Sequence, residues 1–212
     1  MKRNFLVVLC VLALAFTAMA ETQTNNANDN VKTVEILLKE KTDAVLALLQ
    51  KKDLDTSVKK ERIMEIVQPV MDFALMSKLT LGKDNWGRFT PAQQTEFVDL
   101  FVERLKRSYL DKTGFYDDEK IVYQPGILAG NKVHVPMTIV SGDKPIELLY
   151  KFYNAGSRGW MAYDLEINGV SLIKSYQAQF TEMLKNGNPQ DLLAELKKPV
   201  VETSSPGAPP AK

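Results

Sequence analysis

The chain changes its hydrophobic pattern near the middle, from helical spacing to strict alternation. Apolar residues three and four positions apart fall on one face of a helix, so the first half reads as a series of amphipathic helices. The predicted helices are Val31–Lys52, Val58–Val67, Val70–Leu81 and one from Thr90 to Gly114. The start at Thr90 is the best defined, because threonine can act as N-cap and Pro91 suits the first helical position.

The second half alternates large apolar with polar residues, which is typical of half-buried antiparallel strands. The predicted strands are Ile121–Tyr123, Val133–Ile139, Ile146–Tyr153 and Trp160–Ile167. In the last of these, Met161, Tyr163, Leu165 and Ile167 are predicted to share one face. Pro136 cannot donate to a ladder, so its strand is predicted to lie at an edge or to carry a bulge.

Helical spacing returns after the last predicted strand. Asn168-Gly169 forms a turn, a helix is predicted over Val170–Leu184, and Asn188-Pro189 begins a short final helix. Helices, then a meander, then closing helices give an α+β fold with helices packed on one face of a curved antiparallel sheet. This order resembles the NTF2-like type of fold, whose concave face is a natural apolar pocket. One domain over residues 31–198 is expected from the length.

Both ends of the chain differ in composition from this domain. Residues 1–20 have the basic start, apolar stretch and Ala18-Met19-Ala20 site of a cleaved signal peptide. The apolar stretch is too short for a membrane-spanning helix, the competing interpretation. Residues 21–30 are predicted to be a flexible lead-in and residues 199–212 a disordered tail. We therefore expect an exported protein, located in the periplasm.

Composition excludes several classes of function. Cys10 is the only cysteine and lies within the signal peptide, so the exported chain is expected to have no disulfide, thiol chemistry or cysteine-based zinc site. The 27 basic and 26 acidic residues nearly balance, which gives no indication of a nucleic-acid partner. No glycine-rich phosphate loop or histidine-rich metal spacing is present, so neither a cofactor nor a metal is predicted.

Candidate catalytic residues are few. His134 is the only histidine, and we interpret it as a surface residue of a strand. Ser171 is predicted to cap a helix with its hydroxyl. Asp164, with Tyr163 and Tyr176 near it in sequence, could form an acid–base site in a pocket, or it could be a structural acceptor at the end of the sheet.

Two stretches of sequence carry a family resemblance. Tyr163–Leu172 with Tyr176–Phe180 resembles the signature YDV-x-(I)EGVSL-(V)-x-NYRSQF of the MlaC, or toluene-tolerance, family of periplasmic phospholipid carriers. A second block resembles the FDF-x-x-M…LG-x-x-W…TPEQ-x-x-x-F segment of the same family, through Asp72-Phe73, Met76, Leu81-Gly82, Trp86, Thr90-Pro91, Gln93-Gln94 and Phe97.

The resemblance implies a carrier that performs no bond chemistry. Proteins of this family move phospholipids between an outer-membrane lipoprotein complex and an inner-membrane ABC transporter with a substrate-binding ring, which maintains the lipid asymmetry of the outer membrane. A monomer with a phospholipid ligand is expected. The predicted pocket residues are Phe73, Met76, Leu79, Phe97, Phe101, Leu105, Val135, Met137, Leu149, Tyr163 and Val170.

Pattern alone also allows these side chains to form an ordinary core. Two other classes of function stay open at this point: an NTF2-like enzyme that uses Asp164 and a tyrosine on a small apolar substrate, and a non-catalytic assembly protein of the envelope.

Overall fold

The computed structural model describes residues 28–110, 120–141 and 144–199. Its helices are residues 28–49 (α1), Thr56–Val67 (α2), Phe73–Trp86 (α3), Pro91–Leu105 (α4), Leu172–Asn186 (α5) and Pro189–Lys197 (α6). One π-helical turn, Lys106–Leu110, continues α4. Among these residues no helix has both the length and the apolar character needed to cross a membrane.

The strands are Lys120–Tyr123 (β1), Ile127–Ala129 (β2), Lys132–Ser141 (β3), Lys144–Asn154 (β4), Trp160–Ile167 (β5) and Val170–Ser171 (β6). They form one antiparallel sheet in which β3, β4, β5 and β6 are neighbours in that order. The other edge of β3 pairs with two short strands, β2 near its start and β1 near its end. Helices and an antiparallel sheet in this order confirm the predicted α+β class.

Local chemistry explains why the helices begin where they do. Thr90 forms the predicted capping box with Gln93, and Asn188 forms a second one with Asp191. Each box satisfies backbone N–H groups that a helix start leaves without partners. Ser171 accepts a hydrogen bond from Lys174 N at 3.1 Å, which is the capping role predicted for it.

Two predicted assignments were wrong. Residues 28–30, assigned to the flexible lead-in, are helical. Val170 belongs to β6 and pairs with Ile167, so α5 begins two residues later than predicted. The predicted helical ending at Gly114 and the remaining terminal segments, 1–27 and 200–212, lie outside the described residues.

Pro136 lies in neither an edge strand nor a bulge. It occupies the middle of β3, where its backbone faces the break between β1 and β2 and its carbonyl accepts from Gln124 N at 3.2 Å. The missing N–H of proline therefore leaves no strand partner unpaired, and a central position is tolerated.

A register shift in β5 changes the predicted faces of that strand. Lys151 pairs with Asp164 while Phe152 pairs with Ala162, so Tyr163 is an extra residue with no partner on β4. A bulge of this kind reverses the alternation on either side of it. The prediction that Met161 and Tyr163 share a face with Leu165 was therefore wrong.

The sheet has one apolar face, here called the inner face, and one polar outer face. Val135, Tyr150 and Leu165 are register neighbours on the inner face, whereas Lys151 and Asp164 are neighbours on the outer face. α1 packs on the inner face through Val34 and Leu38. The other helices, α3 to α6, bury a separate core against one another and meet the sheet along β5.

Candidate functional site

The inner face is closed at one end and half-covered at the other. At the closed end, Val133, Phe152 and Ala162 are buried beneath Val34 and Leu38 of α1. These five side chains are all less than 9% exposed and fill the space between helix and sheet.

At the other end, apolar side chains form rows across the strands. Ile121, Ile139 and Ile146 are consecutive register partners on β1, β3 and β4, and each is only half-buried. The next row holds Met137 and Leu148, which are buried. We call this half-covered region the open end of the inner face; it comprises Ile121, Tyr123, Met137, Ile139, Ile146, Leu148, Tyr150, Leu165 and Ile167, and Tyr109 and Leu172 pack against it.

A concentration of half-covered apolar side chains needs a physical explanation, because water contact with such a surface costs free energy. The open end contains isoleucines, leucines, a methionine and tyrosine rings. An apolar surface of this composition suits an apolar ligand.

α1 is attached beside the open end by polar contacts. Tyr123 donates a hydrogen bond to Asp43 at 2.9 Å, and Thr42 contacts the Met137 sulfur at 3.9 Å. Burial, with the Asp43 carboxylate close by, raises the pKa of Tyr123 to about 12, so its hydroxyl stays a donor at neutral pH. Thus α1 lies over the closed end and reaches the border of the open end.

Asp164 lies on the outer face and is fully engaged there. Its Oδ2 accepts from Ser171 Oγ at 2.8 Å and from Lys151 Nζ at 3.1 Å, and its Oδ1 accepts from Ile173 N at 3.2 Å. Burial opposes the charge on Lys151, but its bonds to Glu166 and Asp164 outweigh burial and raise its pKa. The arrangement fixes the start of α5 against β5.

The sheet therefore separates Asp164 from the open end, and a ligand held on the inner face does not meet this carboxylate. Tyr163 also lies away from the open end, with its ring 6.1 Å from that of Tyr153 and with Lys132 Nζ 4.6 Å from its centroid. The geometry favours the structural role that the sequence left open for Asp164.

Comparison with known proteins identifies the family. A family model described as MlaC protein matches residues 39–198, about three quarters of the chain. The chain belongs to the MlaC family. This confirms the resemblance seen in the sequence, and the matched segment falls within the predicted domain.

A solved structure supports the assignment to the MlaC family. It is a phospholipid-binding protein from Ralstonia solanacearum, determined in complex with a phospholipid. Its TM-score to this chain is 0.69 at 25% sequence identity, and the match covers 76% of this chain and 93% of that chain.

The predicted pocket residues divide between two places in this MlaC-family chain. Six of them belong to or pack against the core of α3 to α6: Phe73, Met76, Leu79, Phe97, Phe101 and Leu105. Phe97 and Phe101 are completely buried, and their rings pack against each other and against Phe180 at centroid distances of 5.6–6.2 Å. Such aromatic packing stabilises the helical layer.

Two predicted residues, Val135 and Met137, do lie on the inner face, and Met137 belongs to the open end. Three others do not. Leu149 pairs with Pro136 and Glu166 on the outer face, Tyr163 lies beside Tyr153, and Val170 is 42% exposed on β6. The structure therefore brings only part of the predicted set together.

The sequence prediction missed Ile146, Leu148 and Tyr150, which supply the open end from β4. A signal was available in the strand itself. Glu147 and Lys151 occupy odd-numbered positions and favour the outer face, so the even-numbered residues between them belong inside. Leu149 is apolar although it occupies an odd-numbered position, and so it made the assignment of the inner and outer faces of β4 ambiguous.

Proposed function

We propose that this protein binds a phospholipid through its acyl chains at the open end of the inner face and carries it through the periplasm. The observation that carries the proposal is the half-covered row of Ile121, Ile139 and Ile146 at the end of an otherwise buried apolar face. The phospholipid bound to the related Ralstonia solanacearum protein supports the same class of ligand.

The energetics of acyl burial support binding without a charged clamp. Each methylene removed from water contributes about 0.8 kcal/mol. Two acyl chains can therefore hold a lipid while the head group remains in water. The net gain is smaller than this sum, because ordering the chains and separating α1 from the sheet cost free energy.

The cellular part of the proposal rests on the family and on the sequence. The predicted signal peptide of residues 1–20 supports export to the periplasm. We propose exchange of lipid with an outer-membrane lipoprotein complex and with an inner-membrane ABC transporter, which would maintain outer-membrane asymmetry. No bond chemistry is part of this proposal, since Asp164 lies on the outer face and accepts a hydrogen bond from a backbone N–H at the start of α5.

The test is native mass spectrometry of the mature protein isolated from a bacterial periplasm, followed by organic extraction and lipid analysis. We expect one diacyl phospholipid per protein chain. A chain that is empty on isolation and stays empty after incubation with phospholipid vesicles would overturn the proposal, and the assembly-protein alternative would then be preferred. A bound small molecule of another class would favour the enzyme alternative instead.

A further inference from the structure

Tyr150 places a hydroxyl group among the apolar side chains at the centre of the inner face. Its register neighbours are Val135 on β3 and Leu165 on β5. It packs against both apolar clusters of the sheet, the one beneath α1 and the one at the open end. Its ring also lies 6.4 Å from that of Phe152. Tyr150 therefore stands where the closed and open ends meet.

The Tyr150 hydroxyl has no hydrogen-bond partner among the described residues. Burial alone raises its pKa to about 12. In contrast, the neighbouring Tyr123 hydroxyl is bonded to Asp43. A ligand that covers this hydroxyl must supply an acceptor, because a hydroxyl buried without a partner costs free energy.

The Tyr150 side chain is nevertheless not tightly enclosed. It remains half-buried, whereas Val135 and Phe152 on either side of it are 2% exposed. A ligand on the inner face can therefore reach this side chain. The inner face at Tyr150 combines apolar side chains with a hydrogen-bond donor.

This combination selects an apolar ligand that carries an acceptor close to its hydrocarbon. Among lipid groups, the ester carbonyls of an acylglycerol fit that description, because they join directly to the acyl chains. We propose that Tyr150 donates a hydrogen bond to an ester carbonyl of the bound lipid and thereby makes the protein selective for ester-linked diacyl lipids over ether-linked dialkyl lipids. The inference rests on the proposed function and adds a specificity-determining residue to it.

The experiment is a competition between two lipids that differ only in this linkage. Vesicles contain equal amounts of dioleoyl phosphatidylglycerol and its di-O-oleyl ether analogue, and native mass spectrometry measures the ratio of the two bound to the mature protein. We expect the wild type to prefer the ester about fivefold to tenfold, the effect of one hydrogen bond that the ether cannot accept. Tyr150→Phe should lower this preference to about one, because it removes only the donor.

The matched control is Tyr163→Phe, which removes a tyrosine hydroxyl from the outer face and should keep the wild-type preference. Thermal melting of each variant checks that it folds. The wild type provides a second measurement that needs no variant: the carbonyl stretch of 13C-ester-labelled lipid should shift to lower frequency on binding.

The possible outcomes distinguish the two proposals. A wild type that binds both lipids equally, or a Tyr150→Phe protein that keeps the preference, would overturn the role of Tyr150 and leave lipid binding intact. A wild type that takes up neither lipid would overturn the proposed function itself.

Discussion

Asp72 joins α3 to the outer face of the sheet through a single buried carboxylate. Its Oδ1 accepts from Leu75 N at 3.0 Å and so caps the helix, while Oδ2 accepts from Tyr153 and, at 2.7 Å, from Arg158. Burial by itself would raise the pKa of Asp72, but the hydrogen bonds from Tyr153, Leu75 N and Arg158 together outweigh burial and lower it.

Asp72 should therefore make the stability of the folded protein depend on pH in the acid range. A depressed folded-state pKa means that the carboxylate stabilises the protein above its ordinary pKa of 3.8 and that this contribution is lost as the pH falls through the folded value. Asp72→Asn keeps a capping oxygen and removes the charge. We expect it to lower the free energy of unfolding by about 1–3 kcal/mol at pH 7, and by much less near pH 2.

Urea unfolding at the two pH values measures this difference, and Asp99→Asn, an exposed residue on α4, is the control. A gap between wild type and Asp72→Asn that does not change with pH would show that the charge of Asp72 is not what stabilises the contact.

Some residue-scale contacts could be predicted from the sequence and others could not. The caps at Thr90 and Ser171 were predictable, because each involves residues three positions apart. Arg88 was not: its guanidinium donates to Leu184 O and Gly187 O, both at 2.8 Å, at the end of α5. Its partners lie almost one hundred residues away in sequence, and no local pattern points to them.

Among the elements, α3 is interrupted by its own sequence. Gly82 has φ 69° and ψ 169°, a conformation that only glycine adopts readily, and it lies between residues 81 and 83 of the helix. Just before the break, Leu79 O accepts a hydrogen bond from Gln177 Nε2 of α5 at 3.3 Å. A Cβ atom at Gly82 would lie 3.3 Å from that same nitrogen.

Gly82→Ala should accordingly destabilise the protein by about 1–3 kcal/mol, mainly through backbone strain. Gly87→Ala is the matched control, because Gly87 has φ −68° and its added Cβ would meet only ordinary contacts at 3.6 Å. We expect Gly87→Ala to change stability by no more than about 0.5 kcal/mol. Chemical denaturation measures both variants, and equal effects would contradict the strain argument.

The periodicity of the sequence predicted where most elements lie, but not which residues of β5 lie on which face of the sheet. The strand Trp160–Ile167 was correctly located, yet its bulge at Tyr163 depends on pairing with Lys151 and Phe152 of β4. A bulge adds one residue without disturbing the apolar and polar pattern in a recognisable way, since Met161, Ala162 and Tyr163 are all compatible with either face. Assigning Tyr163 to the pocket followed from that ambiguity.

For the whole molecule, an apolar pattern indicates burial but not which core a residue enters. Phe97 and Met137 have similar signals in sequence, yet one packs among α3 to α6 and the other lies on the sheet. The apolar stripe of a helix and the apolar face of a strand both indicate burial without naming the partner. Only the three-dimensional arrangement separates the helical core from the half-covered surface, and the predicted residues divide between the two.

The distinction between the two faces of the sheet can be tested with a pair of variants. Ile139 is half-buried at the open end, and Leu149 is half-buried on the outer face. We expect Ile139→Asn to reduce bound phospholipid several-fold, because a polar amide replaces acyl contact. Leu149→Asn should leave lipid occupancy close to the wild-type level.

Native mass spectrometry after incubation with vesicles gives the occupancy, and circular dichroism confirms that both variants are folded. Equal loss of lipid in the two variants would place the acyl chains elsewhere than on the inner face.

The order of segments in the helical core has a consequence for how the chain folds. Residues 73–105 supply one part of that core and residues 172–197 the other, and the strands lie between them in sequence. Strand pairs β3–β4 and β4–β5 join neighbours along the chain, whereas the two helical parts must close a long loop to meet.

We therefore expect Leu148→Ala, in the sheet, to slow folding, and Leu193→Ala, in the helical core, mainly to accelerate unfolding in stopped-flow measurements. The opposite assignment of rates would mean that the helices assemble first. If the expected order holds, the surface proposed to receive lipid forms before the layer of helices packs beside it.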